Sequence, residues 1–423
     1  MVSAGLSETL EVVRHLAAIL TVLLAAPAAA DPAGWEHSVS GLLDLRVTDE
    51  RRNTTSLAAP PAEAEATAIA STYAAGFEAW KGGLALASQL RAHTNSAGDN
   101  RARLRVDELY AEYAVTPEDF LYAGRRNIVY GASLGVNPLD VFLDPRALDR
   151  AKNNTRRRRE IPGQDMLGFE SLVSGRFTFG GYWAPRAGEL NQDQPHRALL
   201  AGALTLLDWN ADVTAILIKD AHSGAGLSAA RTLGDATLVY ADLTARRGRD
   251  RMRIRADRSP GATPGAFVAS GGNRRRLYAQ ASLGIGHTRA SGGGFNLEYY
   301  YDANGYNSRE WREIERLITD AGAANNANLA RLNARLDHFT LRRHYAFLRT
   351  FHPRQFGLAL DAETTVFHNL ADHSGVFGLR LEYRLSPKLL LGLHGRYFYG
   401  KANDEYALRT ARRSAALYVT ARI

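Results

Sequence analysis

Cysteine is absent from all 423 residues, which excludes disulfides, thiolate metal sites and thiol nucleophiles. Beyond residue 30 no apolar run approaches the roughly 20 residues that a spanning helix needs. Charged residues make up 23% of the chain, so any insertion into a membrane must be by strands. Motifs of catalysis are lacking too. H-E-x-x-H, G-x-S-x-G and the P-loop do not occur, and the twelve histidines are scattered without ligand spacing. The chain is therefore read as a non-enzyme with no metal or cofactor. It has no stacking platform for nucleic acid, so its net charge of +8 calls for another partner.

The first thirty residues read as a secretory signal. Arg14 and His15 precede "LAAILTVLLAAPAAA", a short apolar run broken by Pro27 and ending in Ala28, Ala29 and Ala30 before Asp31. Cleavage after Ala30 leaves residues 31–423 as one domain. It also removes Glu8, Glu11 and Arg14, so the mature chain is one charge more basic. The first strand follows almost at once, with no length for a plug domain.

From there the pattern is strand, turn, strand. In "SVSGLLDLRV" Leu43, Leu45 and Val47 share one face while Asp44 and Arg46 share the other, the two-residue period of a strand. "GLRLEYRL", "GLALDAETTVF" and "FNLEYYY" repeat it, with apolar and aromatic residues on one face and charge on the other. A soluble sandwich would hide the apolar face in a core. A transmembrane barrel turns it to lipid, with aromatic girdles, and lines a watery lumen with the polar face. The signal, the number of segments and the aromatics near strand ends (Tyr110, Tyr113, Phe120, Tyr122, Tyr130, Phe177, Phe179, Tyr182, Trp183, Tyr397, Phe398, Tyr399) favour the barrel. In lipid only a closed sheet satisfies its backbone groups.

The fold class is therefore all-β, a transmembrane antiparallel β-barrel of about 18 strands (16–18) in the bacterial outer membrane. Expected strand starts lie near residues 36, 68, 84, 102, 120, 164, 176, 197, 211, 224, 236, 274, 294, 342, 356, 376, 389 and 411. Short turns such as "KGG", "TPED", "LGD" and "SPK" alternate with long loops at 48–67, 131–163, 247–273 and 304–341. Barrels of this kind place short turns in the periplasm and long loops outside. The final segment, "RSAALYVTARI", has the alternation of the C-terminal strand that the barrel-assembly machinery reads, although it ends in Ile423.

"ELYAEYAVTPEDFLYAGRRNIVYG", followed by "NPLDVF", resembles the strand-turn-strand-loop pattern of the alginate export family of proteobacterial outer-membrane porins. "RHYAFLRTF", "LADHSG", "LEYYYDANGY" and "LEYRLSPKLLLGLHGRYFYGKANDEY" fit the family's C-terminal half. The departures are Arg126 for the usual Gln, Tyr130 for the usual Trp, and the non-aromatic terminus. The resemblance implies a channel, with an anionic solute or polysaccharide as the possible cargo.

Lumen candidates follow from strand phase. They are Arg46, Arg105, Arg349, Arg380, Arg384 and Arg396, facing Asp44, Glu112, Glu170, Asp242, Glu298, Asp361, Glu363 and Glu382. Phase does not separate Arg125 from Arg126; the family's GR pattern favours Arg125 inward. These charges either brace the wall as ion pairs or select solutes, since rings of Arg build anion pores. Residues 146–160 and 246–258 are strongly basic outer loops, which either draw anions to the mouth or bind lipopolysaccharide phosphates. In 304–341, "NSREWREIERLI" opens with a capping box from Asn307 to Glu310, and "NLARLNARLDHF" repeats the helical stripe. That hairpin either constricts the mouth or packs on the rim. The expected function is a passive channel for hydrophilic, anionic solutes. The alternative is a non-channel surface protein whose basic loops bind a partner or lipopolysaccharide.

The signal reading is tested on the secreted protein. Intact mass should begin at Asp31; a retained N-terminus would refute it.

Overall fold

The structure is a computed structural model. It describes residues 35–52, 65–95, 103–140, 163–174, 176–184, 199–208, 211–219, 223–249, 251, 253–257, 259–260, 267–270, 275–319, 340–409 and 411–422. The signal, the basic segment 146–160, the second helical stripe of 328–339 and Ile423 lie outside the described residues.

Eighteen strands form one antiparallel sheet. They are β1 (Glu36–Arg52), β2 (Glu65–Lys81), β3 (Leu84–Asn95), β4 (Arg103–Ala114), β5 (Asp119–Arg126), β6 (Gln164–Val173), β7 (Phe177–Ala184), β8 (Leu199–Asp208), β9 (Ala211–Lys219), β10 (Gly224–Leu233), β11 (Thr237–Arg247), β14 (Leu277–Thr288), β15 (Gly294–Asp302), β16 (His344–His352), β17 (Leu360–Asn369), β18 (Gly375–Arg384), β19 (Leu389–Tyr399) and β20 (Ala411–Arg422). Each pairs with its neighbours in chain order. β20 also pairs with β1, Leu45 facing Val419 and Val47 facing Leu417, so every strand has a partner on both edges and the sheet closes on itself. Two short strands, β12 (Arg253–Ala256) and β13 (Phe267–Ser270), make a separate hairpin in the loop between β11 and β14. The observed starts lie within four residues of the expected ones.

The alternation read in the sequence is the alternation of the wall. Leu45, Val47, Leu86, Leu109, Leu121, Leu167, Leu217, Leu283, Leu297 and Leu417 are all exposed on the outside. A soluble protein would bury such a contiguous surface; a bilayer solvates it. The aromatics divide. Tyr113, Phe177, Phe179, Trp183 and Tyr397 are exposed on the outer face, whereas Tyr122 and Tyr182 are buried on the inner one. The girdle expectation thus holds for the first group, and the second belongs to the lumen.

Inner tyrosines lie flat where the facing residue is glycine. A Cβ on Gly284 would come within 2.3 Å of the Tyr240 ring, and one on Gly392 within 2.1 Å of Tyr418. In each case the next strand over supplies a carboxylate in the same register. Tyr240 donates to Glu298 at 2.6 Å and Tyr418 to Glu382 at 2.6 Å. Tyr182 over Gly180 and Tyr122 both donate to Glu170. Glycine makes room, tyrosine covers it, and its hydroxyl satisfies an inward carboxylate.

At the long-loop end the capping box is formed. Glu310 N–H donates to Asn307 Oδ1 at 2.9 Å and Asn307 N–H to Glu310 Oε2 at 3.0 Å, starting helix α1 (Ser308–Thr319). Its Trp311, Ile314 and Leu317 are buried with Ile254, Phe267, Tyr306, Leu341 and Leu408. The helix therefore packs on the β12–β13 hairpin and on the loop after β19. Arg249 grips Glu310 at 2.6 and 3.1 Å, and Arg251 pairs with Asp302 at 2.8 Å. Burial alone would raise the Glu310 pKa, but Arg249 and the Asn307 N–H hold it below its ordinary value. Two arginines of the basic stretch 246–258 are thus committed to internal pairs.

Ring closure is open to a direct test because the chain has no native cysteine. Leu45→Cys with Val419→Cys should form a disulfide across the β1–β20 seam. The oxidised protein should then resist the heat-induced shift in gel mobility that the reduced protein shows. Failure to cross-link in the folded protein would contradict closure.

Candidate functional site

The stretch after β5 does not run outside. Residues 127–140, "NIVYGASLGVNPLD", fold into the barrel and cross it as a strap. This corrects the expectation of a wholly external loop at 131–163. Two inward carboxylates hold it. Asp242 on β11 accepts the N–H groups of Ala132 (3.0 Å) and Ser133 (2.7 Å) and the Ser133 hydroxyl. Glu298 on β15 accepts those of Leu134 (2.6 Å) and Gly135 (2.8 Å). Ser228 and Tyr240 fill remaining acceptor sites. Asp242 is 0% exposed and Glu298 2%, and a buried charge is tolerated only when satisfied in this way.

Local sequence explains the strap's path. Gly131 takes φ +86°, and a Cβ there would meet the Asn137 amide at 2.6 Å. Gly135 lies so close to β16 that a Cβ would sit 2.8 Å from the Phe347 ring. The Asn-Pro turn works through Asn137, which donates to Tyr130 C=O and accepts the Leu139 N–H at 2.9 Å. Leu139, fully buried, then packs with Met166, Tyr182, Ile216 and Ile218. Val136 packs with Tyr300, Tyr345, Phe347 and Phe367. From β5 the strap thus reaches β11, β15 and β16 before returning to β9, across the barrel's width.

The sequence-derived lumen residues mostly gather beside it. Glu363 is shared by Arg349 and Arg380, each at 2.7 Å. Arg349 also donates to Asn296 at 3.3 Å and lies two residues below Phe347, hence one inward position beneath the strap. These three, with Asp361, Glu382 and Phe351, line a pocket of about 190 Å³. Arg384 stands at the short-turn end, 60% exposed and 3.5 Å from Asp361. Further round, Arg396 donates to the Ser414 hydroxyl at 3.1 Å, and Arg46 lies 3.7 Å from Asp44 and over the Tyr418 ring. Arg105 meets Asp107 at 2.6 Å, as does Arg91. Glu298, grouped with the selectivity candidates in the sequence, is instead an anchor of the strap.

Arg125 is corrected. In register it lies opposite Leu109 and Asp165, on the face of Leu121 and Leu167, so it belongs to the outer side of the wall. There it is held by Asp165 at 2.8 Å and by Val106 C=O at 3.1 Å. Arg126 takes the inner face, 3.8 Å over Tyr122 and 5.3 Å over Tyr110. Consecutive strand residues must point to opposite faces, and buried Tyr122 sets the phase for Arg126.

Arg91 and Asp107 escaped the sequence reading. Asp107 is the extra residue of a bulge, with Gln89 opposite Glu108 and Leu90 opposite Val106. The signal was present. The apolar phase runs through Leu104 and Val106, then slips by one to Leu109 and Ala111, and such a slip marks a bulge. The bulged carbonyl of Asp107 accepts the Gly163 N–H at 2.7 Å, where the chain re-enters the wall after the strap's loop.

Glu298→Ala strips two strap amides of their acceptor. Losing a charge-assisted bond costs about 1.5–3 kcal/mol, so the amides of Leu134 and Gly135 should exchange hydrogen about ten- to a hundred-fold faster. Exchange as slow as in the wild type would mean that Glu298 does not hold the strap.

No protein-family model matches the sequence, and no match was found among curated proteins; the resemblance to the alginate export family is not confirmed. Solved structures do match over nearly the whole chain. OccAB3 of Acinetobacter baumannii superposes with TM-score 0.55 at 8% identity, covering 92% of this chain and 99% of that one. The outer membrane protein OpdK of Pseudomonas aeruginosa gives 0.54 at 11%, covering 91% and 98%, and OccK11 (OpdR) of the same organism 0.53 at 12%, covering 91% and 96%. At such identities the likeness speaks for architecture, and the chain is a β-barrel with the fold of outer-membrane porins.

Proposed function

We propose that the protein is an outer-membrane channel for passive diffusion of small hydrophilic solutes, with a preference for anions. The observation that carries this reading is the buried Glu363 shared by Arg349 and Arg380 beneath the strap. The two guanidinium groups stand together at the level where a solute passes the strap, so their placement, and not a surplus of net charge, would favour an anion there. Arg91 and Arg105 likewise converge on one acid, Asp107, on β3 and β4. Nearby Asp361 and Glu382 temper the field, so the preference is modest. Two charges about a Debye length apart, roughly 8 Å at physiological salt, already act on one ion together.

The strap bears on cargo size. A polymer needs a continuous bore, whereas a lumen crossed at mid-height passes small solutes more readily, so a small anion is favoured over an exported polysaccharide.

Reversal potential in a salt gradient across a planar bilayer tests the reading. The wild type should be anion-selective. Arg349→Ala and Arg380→Ala should each move it toward cation selectivity, while Arg125→Ala, on the outer face, should leave it unchanged. A cation-selective wild type, or equal potentials in all four proteins, would reject anion preference through these arginines.

A further inference from the structure

The strap divides the inner face of the barrel unevenly. It leaves the wall at β5, where the Asn127 N–H donates to Glu108 on β4 at 3.0 Å, and it reaches β11, β15 and β16 before turning back to β9. On the side of β6–β11 it packs directly on the wall, and Met166, Tyr182, Ile216 and Thr244 are all buried there. The arc from β17 round to β4 lies on the strap's other side.

Part of that arc is filled by a second inward segment. Residues 400–409, "GKANDEYALR", join β19 to β20 and fold into the mouth, with Glu405 and Tyr406 0% exposed. Glu405 accepts the Leu341 N–H at 2.8 Å, the Tyr345 hydroxyl at 2.6 Å and the Asn369 side-chain amide at 2.9 Å. Its own N–H donates to Asp372 at 3.0 Å, and the Tyr406 N–H to the Ser374 hydroxyl oxygen at 3.2 Å. A buried carboxylate thus ties backbone outside the sheet to the wall, as in the strap. Tyr406 then packs with Phe367, Val376, Phe398 and, on the strap, Val136. Above the strap, the inner face of β15–β19 is therefore close-packed apolar core, which leaves no bore for a hydrated solute.

The inner face of β1–β4 is different. Thr72 on β2 stands opposite both Asp44 on β1 and His93 on β3, and it bonds the His93 ring at 3.1 Å. Arg91 and Arg105 form the next inward pair on β3 and β4. The Arg105 side chain is 38% exposed, and His93 and, deeper, Glu78 are exposed as well. Polar side chains that face inward yet stay open to solvent mark a watery route.

We propose that the passage is eccentric: solutes cross the upper barrel along the inner face of β1–β4, and the segment 400–409, locked by Glu405, closes the arc β15–β19. The inference rests on the channel reading and adds its route. Thr72, His93 and Arg105 meet the solute before the pocket of Arg349 and Arg380 does, and Glu405 is a positioning residue for the closed arc.

Single cysteines test the route, since the chain has none of its own. The full mature protein is placed in a planar bilayer, and a charged, membrane-impermeant methanethiosulfonate is added on the long-loop side. Thr72→Cys and His93→Cys should be modified, as read by intact mass, and their single-channel conductance should step down. Val376→Cys, in the filled arc, should stay unmodified with its current unchanged. Adding Glu405→Ala should make Val376→Cys reactive and raise the conductance, whereas Glu405→Gln, which keeps one acceptor oxygen, should leave it slow to react. Modification of Val376→Cys with loss of current while Glu405 is intact would overturn the inference. So would a conducting protein whose current ignores modification at both Thr72→Cys and His93→Cys. An unreactive Val376→Cys beside Glu405→Ala would remove Glu405 from its positioning role. A folded protein that conducts nothing would instead refute the channel reading on which the route depends.

Discussion

Four consecutive backbone N–H groups, from Ala132 to Gly135, end on two buried carboxylates, Asp242 and Glu298. The interior of the barrel depends on this arrangement. A segment crossing the lumen has left the sheet that would satisfy its amides, and each amide buried without a partner costs free energy. Asp242 and Glu298 have the opposite need, since they are charged and buried. Each requirement answers the other, and the strap is fixed at mid-barrel as a result. The hydroxyls of Ser228 and Tyr240 complete the acceptors, so the anchors are part of the wall and not of a mobile loop.

The wall repeats that logic on a smaller scale. Its outer face is solvated by hydrocarbon and needs only apolar side chains. Its inner face must keep carboxylates in a narrow space, and Glu298 and Glu382 each receive a tyrosine hydroxyl laid across a glycine. Carboxylates without tyrosine receive arginine instead, as Glu363 and Asp107 do. Where two arginines converge on one acid, guanidinium groups are held side by side on the inner face.

Much of the wall was legible because a strand exposes its period directly. Arg46 beside Leu45, Arg380 beside Leu379 and Glu363 beside Thr364 give their faces away. The strap was not legible, because "NIVYGASLGVNPLD" has no period and its partners, Asp242 and Glu298, lie more than a hundred residues away in sequence. Glu298 looked like any inward acid; only the third dimension shows that it holds backbone and not solute. The inward expectation for Arg125 rests on the GR pattern of the resembled family, because two adjacent arginines carry no phase of their own; the phase comes from Tyr122, whose burial the sequence does not reveal. The bulge at Asp107 could have been found, since the apolar phase breaks there.

The strap's role in setting the passage is tested most directly by single-channel conductance of the Asp242→Ala/Glu298→Ala double variant in a planar bilayer. With both anchors gone the strap is released from mid-lumen, and the variant should show a larger conductance, with more open-channel noise, than the wild type. A folded variant whose conductance equals that of the wild type would contradict the account, because the strap would then not define the passage.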